Sequence, residues 1–222
     1  MKQKGLLMAG VGFTVILFLI LLDLAPVLAK NGLTRQRSYP KQDQVHSLRI
    51  EYLSLREFPS LQQQIGPLVG IAPVKDGRQG RRHIGHYSYG GVSNYFKSEP
   101  FPLEAAVRDA LSETLSRLGI KTVPVSSWDR KKGALKGAET DSILSVQIDR
   151  FWVEGTANPT PKLQTTLYLT FHLGVKKEGL VFTKRVYMGT NETVARFTPE
   201  RMERAVRQAL TSVFESFFSD PY

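Results

Sequence analysis

The chain has 222 residues, a formal net charge of +10 at pH 7 and no cysteine. The length suffices for one domain with its own hydrophobic core, and the lack of cysteine excludes disulfide bonds, thiolate metal ligands, a cysteine nucleophile and a lipid-bearing cysteine. A basic protein attracts anionic partners, which are nucleic acids inside a cell and acidic lipids or cell-wall polymers in the cell envelope.

Residues 1–29 have the layout of an export signal or a membrane anchor. Lys2 and Lys4 precede an apolar stretch, Gly5–Leu22, and small residues up to Ala29 follow at the spacing of a signal peptidase site. The stretch has about the length that a membrane-spanning helix needs, so both cleavage and retention as an anchor are open. We therefore expect a periplasmic protein, anchored to the inner membrane by this segment or released after cleavage, with no nucleic-acid partner.

The rest of the chain divides into a linker and one domain. Residues 30–44 are polar and basic and predict the linker, and residues 45–222 predict a single periplasmic α/β domain. Its first strands are expected within 45–58 and 68–74. Residues 75–100, rich in glycine, arginine and tyrosine, predict a long irregular segment, a kind that is often functional.

The second half of the domain contains the clearest periodic patterns. Apolar residues at three- and four-residue steps predict a helix over 102–118 that ends at Gly119, followed by an edge strand within 121–125. Thr198 predicts the N-cap of a final helix. Three strands are expected before it, within 143–153, 163–175 and 180–188. This order predicts an α/β (α+β) domain, a two-layer sandwich in which two long amphipathic helices cover one face of a mostly antiparallel sheet.

Motifs for catalysis are missing from the sequence. It contains no G-x-S-x-G nucleophile turn and no glycine-rich phosphate loop. His83 and His86 near Asp76 are the best metal candidates, but a zinc site needs three or four ligands. Asp149 beside Arg150 lacks a second convergent carboxylate for a hydrolase. We expect no catalytic residue, no metal, no cofactor and no enzymatic activity.

The segment 75–100 contains the side chains that are best suited to bind a partner. Its arginines attract anions, and its aromatic rings are of the kind enriched in interface cores, although they could equally fold back into the domain. The basic residues of this segment form a first cluster, and a second basic cluster surrounds Arg130. The two clusters would form one patch for an anionic ligand if both loops lie at the same end of the sheet. The candidate binding residues are Arg78, Arg81, Arg82, Tyr87, Tyr89, Tyr95 and Phe96.

Short motifs follow one another from residue 69 into the next helix and strand. They are Val69–Val74, Asp76-Gly77-Arg78, Ile84-Gly85, Tyr89-Gly90, Val107–Gly119 and Asp141–Val153. In this order they resemble the D-x-R … I-G … Y-G pattern, helix and strand of YajG-like envelope lipoproteins over roughly residues 66–215. They resemble more weakly the auxiliary lipoproteins of lipid-trafficking ABC transporters.

Neither resemblance implies an enzyme, and both imply a domain that binds partners outside the cytoplasm. The leading prediction is a YajG-like accessory or assembly factor of the envelope with a protein partner, and an anionic membrane or cell-wall surface is a further candidate partner. The alternative is a lipid- or glycan-binding auxiliary component of an ABC-type envelope transport system. Such proteins usually carry a lipid on a cysteine, which this chain lacks, so residues 1–29 would supply any tether.

Three residues of the segment are predicted to shape it rather than to perform chemistry. Asp76 would hydrogen-bond loop amides or pair with Arg78, while Gly85 and Gly90 would adopt conformations closed to other residues.

Overall fold

The structure is a computed structural model that describes residues 43–54, 56–80, 82–157 and 159–222. The predicted signal or anchor, residues 1–29, lies outside these residues, and so do most of the predicted linker and Arg81. Within the described ranges, no helix is both long enough and apolar enough to cross a membrane.

The described residues form nine strands and four helices. In chain order these are β1 (Gln44–Arg49), α1 (Leu61–Ile65), β2 (Leu68–Ile71), β3 (Lys75–Asp76), β4 (Gly85–Tyr89), β5 (Val92–Glu99), α2 (Leu103–Arg117), β6 (Lys121–Pro124), α3 (Lys132–Lys136), β7 (Ser142–Thr156), β8 (Lys162–Val175), β9 (Leu180–Thr193) and α4 (Pro199–Ser219). All strands belong to one sheet. The predicted α/β sandwich is confirmed.

Strand β7 is the centre of the sheet. On one side β8 pairs with it along its whole length and β9 pairs with β8, both antiparallel. On the other side β2, β3 and β4 pair with successive parts of β7, all parallel. Strand β6 extends the sheet beyond β2, and β5 and β1 extend it beyond β4. Because the three longest strands are antiparallel, most of the sheet is antiparallel, with shorter parallel strands on one side.

The long helices cover one face of this sheet, and large apolar side chains fill the space between the two layers. Thr198 caps α4 by accepting a hydrogen bond from the amide of Arg201 at 3.3 Å, as expected of an N-cap threonine. From α4, Phe214 and Phe217 are fully buried, and the Phe217 ring stacks on Phe171 of β8 with 4.2 Å between ring centroids. This face is therefore closed by packing.

The prediction of an irregular segment over 75–100 was wrong, because most of it is the hairpin β4–β5. Gly90 and Gly91 join the strands with φ of 58° and 77°. Two successive left-handed residues form the turn type that best matches the twist of a hairpin. The inward alternation of β5 includes Asn94 and Ser98, which are buried polar residues, so the period of two was not visible as an apolar pattern.

Smaller differences occur elsewhere. Helix α1 was not predicted, since five residues are too few to show a helical period. Strand β1 ends at Arg49, whereas the expected range extended to residue 58. Strand β9 continues through polar residues to Thr193, whereas the expected range ended at residue 188.

A β-bulge interrupts β7. The register with β8 shifts between Ile148 and Arg150, so Asp149 is one extra residue in the strand. Leu144 and Ile148 are buried before the shift, and Phe151 is buried after it. The inward side chains therefore change from even to odd positions, since an extra residue reverses the faces of a strand.

We expect Phe217→Ala to lower the free energy of unfolding by about 3–5 kcal/mol, because it leaves a cavity beside Phe171. Urea unfolding followed by tryptophan fluorescence measures this change. Phe101→Ala is the matched control, since Phe101 is 64% exposed, and its cost is expected below about 1 kcal/mol. Equal costs for the two variants would contradict the packing described for α4.

Candidate functional site: the open face of the sheet

The second face of the sheet is covered at one end only, as far as the described residues extend. There Leu135 of α3 and Trp128 lie against β8, next to Gly174. A Cβ at Gly174 would lie 2.5 Å from Leu135 Cδ2 and 2.7 Å from Trp128 Cζ2, so any larger residue would displace these side chains. The remainder, which we call the open face, comprises the outward side chains of β4, β5, β8, β9 and the second half of β7.

Four rings form a continuous row across the open face. His83 and His86 both stack on Tyr95, with centroid distances of 4.8 and 6.2 Å, and His86 lies 5.6 Å from Trp152. The indole nitrogen of Trp152 donates to Glu154 at 3.4 Å. We call His83, Tyr95, His86 and Trp152 the aromatic row. Rings that combine apolar area with polar atoms are typical of binding surfaces.

Two tyrosines extend this surface across β8 and β9. Tyr168 and Tyr187 are direct partners in the register of these strands, and Tyr187 is 65% exposed. Its hydroxyl lies over Gly189, where a Cβ would be 2.5 Å away. A large exposed aromatic side chain beside a bare backbone gives a flat area that another molecule can cover.

A buried ion pair fixes the edge of the open face. The side chains of Asp76 and Arg78 are 1% and 7% exposed, and Arg78 Nε and Nη2 donate to the two carboxylate oxygens at 2.9 and 2.8 Å. Arg78 Nη1 also donates to the carbonyls of His83 and Phe151, at 3.1 and 3.2 Å. The amide of Arg78 donates to Asp76 as well, at 3.0 Å. Asp76 thus both pairs with Arg78 and binds a loop amide.

The structure separates the predicted binding residues into three groups. Tyr87 and Phe96 are 9% and 0% exposed and pack against each other in the core, so the expectation that they contact a partner is corrected. Arg78 is occupied in the buried ion pair. The third group is exposed or partly exposed. Tyr95 lies on the open face, and Tyr89 and Arg82 are exposed at positions close to Tyr95 in the sequence. Arg81 lies outside the described residues.

The two predicted shaping glycines have different physical reasons. Gly90 has a φ of 58°, a left-handed conformation, as expected. Gly85 is not left-handed. It lies so close to β7 that a Cβ would be 2.1 Å from the carbonyl oxygen of Val153, so its role is close approach of two backbones.

Sequence reasoning missed Trp152, Tyr168 and Tyr187 as parts of the surface. Tyr168 alternates with buried Leu167 and Leu169, which is a readable signal for an outward position. For Trp152 the signal was the spacing of Ile148 and Phe151, two apolar residues three apart, which is typical of a bulge in a strand.

The open face contains a shallow pocket of about 390 Å³. Arg130 of the second basic cluster lines this pocket, and Lys75 of the first cluster lies beside it as the register partner of Gln147. Burial lowers the pKa of His172 in this pocket, and the charges of Arg130, Arg185 and Lys75 lower it further against the opposing effect of Asp149. We call this the basic pocket, and it is lined by Arg130, Gln147, Asp149, Tyr168, Thr170, His172, Thr183 and Arg185.

His83 and His86 do not come together with further metal ligands. Burial and the charges of Arg82 and Lys97 lower the pKa of His83, and His86 Nε2 lies 3.8 Å from Glu154. Within the described part of the chain, no group of three or more His, Cys, Asp or Glu side chains is placed to hold a metal ion.

Comparison with known proteins gives a shared fold. No family model matches the sequence, and no curated protein matches it. The structure is similar to that of protein XCC0632 from Xanthomonas campestris, of the DUF330 family model, with a TM-score of 0.50, 13% identity, and coverage of 79% of this chain and 93% of that one. At this identity the likeness shows the fold alone.

Two further structures are similar at lower scores. A putative neuraminyllactose-binding hemagglutinin homolog from Helicobacter pylori has a TM-score of 0.43 and 11% identity, covering 80% of this chain and 92% of that one. Lipoprotein GNA1162 from Neisseria meningitidis has a TM-score of 0.35 and 10% identity, covering 67% and 98%. The resemblance to YajG-like proteins in particular stays a prediction.

We expect Asp76→Ala to lower the free energy of unfolding by about 3–5 kcal/mol, because it leaves a buried guanidinium without its carboxylate. The double variant Asp76→Ala/Arg78→Met is expected to cost less than the sum of the two single variants. Asp109→Ala is the control, since it breaks an exposed Arg–Asp pair and its cost is expected below about 1 kcal/mol. Equal costs for Asp76→Ala and Asp109→Ala in urea unfolding would contradict the role of the pair.

We expect the pKa of His172, measured by NMR, to lie below that of an ordinary histidine and to rise in Arg130→Gln. A lowered pKa means that His172 stabilises the fold above the ordinary pKa, and that this contribution is lost as the pH falls towards the folded-state pKa. His172→Gln is therefore expected to weaken the fall of the free energy of unfolding in that range. An unchanged pKa in Arg130→Gln, as in the control Arg108→Gln on α2, would show that Arg130 does not act on this ring.

Proposed function

We propose that this chain is a non-enzymatic accessory or assembly factor of the cell envelope that binds a protein partner through the open face of its sheet. The observation that carries the proposal is the difference between the two faces. One face is closed by α2 and α4, whereas the other presents the aromatic row and the exposed Tyr187, with no helix over them in the described ranges.

The chemistry of the open face favours a protein partner. Aromatic residues are enriched in the cores of protein interfaces, and Trp and Tyr carry much of their binding energy. The rings of the aromatic row stack on one another, so they lose little conformational freedom when a partner covers them. These properties suit a preformed surface for a folded partner.

Two observations support the proposed location outside the cytoplasm, namely the N-terminal segment and the resemblance to envelope lipoproteins. Residues 1–29 predict export or anchoring, and the fold is shared with XCC0632. The final location, the identity with a YajG-like factor and the absence of catalysis are parts of the proposal.

The alternative of lipid carriage inside the domain has less support. A lipid carrier needs an apolar groove, and the space between α4 and the sheet is filled by fully buried side chains that include Leu210, Phe214 and Phe217. A lipid or glycan would therefore have to bind on the surface.

Photo-crosslinking in intact envelopes tests the proposal. A benzoyl-phenylalanine probe at Tyr187 or Tyr95 of the full chain is expected to form one specific protein adduct, while probes at Phe101 and Leu180, which are exposed elsewhere, form little or none. Adding Trp152→Ala to the Tyr187 probe is expected to reduce the adduct about tenfold, since it removes a large aromatic contact.

Thermal unfolding of each variant serves as the control for folding. An adduct of equal yield from all four probe positions, or crosslinks to lipid alone from Tyr187 and Tyr95, would contradict a protein-binding open face.

A further inference from the structure

Arg130 has a strained backbone. Its φ is 64°, and among the described residues it is the one non-glycine residue with a positive φ. This conformation is unfavourable for an L-residue because its Cβ approaches the following carbonyl oxygen. The amide of Lys131 donates to Asp129 Oδ1 at 2.9 Å, which fixes the turn around Arg130. Strain of this kind is concentrated at functional sites.

The guanidinium of Arg130 adds a second free-energy cost to that of the left-handed backbone. Its Nη2 is shielded from water and has no hydrogen-bond partner within the described part of the chain. A buried donor without an acceptor destabilises a fold. Glycine at this position would relieve both costs.

Charge accumulates around this guanidinium. Arg130 and Arg185 line the basic pocket together, and Lys75 lies beside it as the register partner of the lining residue Gln147. Asp149 is the acidic residue among the lining side chains, and its two oxygens already accept hydrogen bonds from Gln147 Nε2, at 2.7 Å, and from the Thr170 hydroxyl. The lining side chains of the pocket therefore carry two positive charges against one negative charge.

The loop is held in place before any ligand arrives. Trp128 and Leu135, on either side of Arg130 in sequence, pack against the bare backbone of Gly174. A site whose side chains are already positioned loses less entropy on binding.

We propose that the basic pocket binds a phosphate group, either as free phosphate or as the headgroup of a lipid. A guanidinium presents a planar fork of donors that matches the oxygens of phosphate. Two arginines, with Lys75 opposite the lining residue Gln147 in the strand register, favour a doubly charged anion over a single carboxylate. This site contains none of the four rings of the aromatic row, although it shares Tyr168 with the surface that extends the row, and its test does not depend on the proposed protein partner.

NMR of the full chain in a maltoside detergent at pH 7 provides the test, because the protein has four histidines and one of them lines the pocket. Inorganic phosphate is titrated against chloride at matched ionic strength, with histidine rings labelled and assigned by single substitutions. The His172 resonances are expected to shift saturably with phosphate, while those of His46, His83 and His86 stay unchanged.

Variants separate a binding role from a structural one. Arg185→Gln and Arg130→Gln are each expected to weaken phosphate binding about tenfold, the effect of losing one charge-assisted hydrogen bond. Arg130→Gly is expected to weaken binding equally while the midpoint of thermal unfolding stays the same or rises, because glycine adopts the left-handed conformation freely. Arg108→Gln, on the opposite layer, is expected to bind phosphate like the unchanged protein.

The absence of a saturable His172 shift, or unchanged binding in Arg130→Gly, would overturn the proposal. A second titration with soluble dihexanoyl phosphatidate distinguishes the two sources of phosphate. Binding of the lipid at least tenfold tighter than inorganic phosphate supports a lipid headgroup, and equal binding supports free phosphate.

Discussion

The guanidinium of Arg78 joins three separate parts of the chain at one buried point. It pairs with the carboxylate of Asp76 at the end of β3, and it donates to the carbonyls of His83, before β4, and of Phe151, in β7. Removing either charge would leave the other buried and unpaired, which is far more costly than the loss of an exposed pair. The position of the hairpin β4–β5 against β7, and with it the aromatic row, depends on this contact.

The two faces of the sheet are stabilised by different physical effects. The helical face is held by burial of large apolar side chains such as Phe171 and Phe217. The open face has few such contacts, and its side chains order one another by ring stacking in the aromatic row and by hydrogen bonds in the basic pocket, such as those that Asp149 accepts from Gln147 and Thr170. A domain of this kind can vary its outward residues without loss of its core, since the two sets of contacts share few atoms.

Much of the architecture could be predicted from the sequence, and the exceptions have physical causes. The helices starting at Leu103 and Pro199 and the strands around Leu144, Leu169 and Val186 show strong apolar periods. The hairpin β4–β5 was hidden because Asn94 and Ser98 occupy inward positions. The pairing of Asp76 with Arg78 was foreseeable from their spacing, whereas the burial of Tyr87 and Phe96 and the convergence of Lys75 with Arg130 depend on tertiary contacts between distant segments.

The bulge at Asp149 has a consequence for how the gene can change. Because this one residue reverses the faces of β7, its deletion would turn Trp152 towards the core and Phe151 towards solvent. A replacement at the same position would leave both orientations intact. Natural variation should therefore exclude any change in the number of codons between Ile148 and Phe151. A replacement of Asp149 would lose the hydrogen bonds from Gln147 and Thr170 but would keep the two faces of the strand.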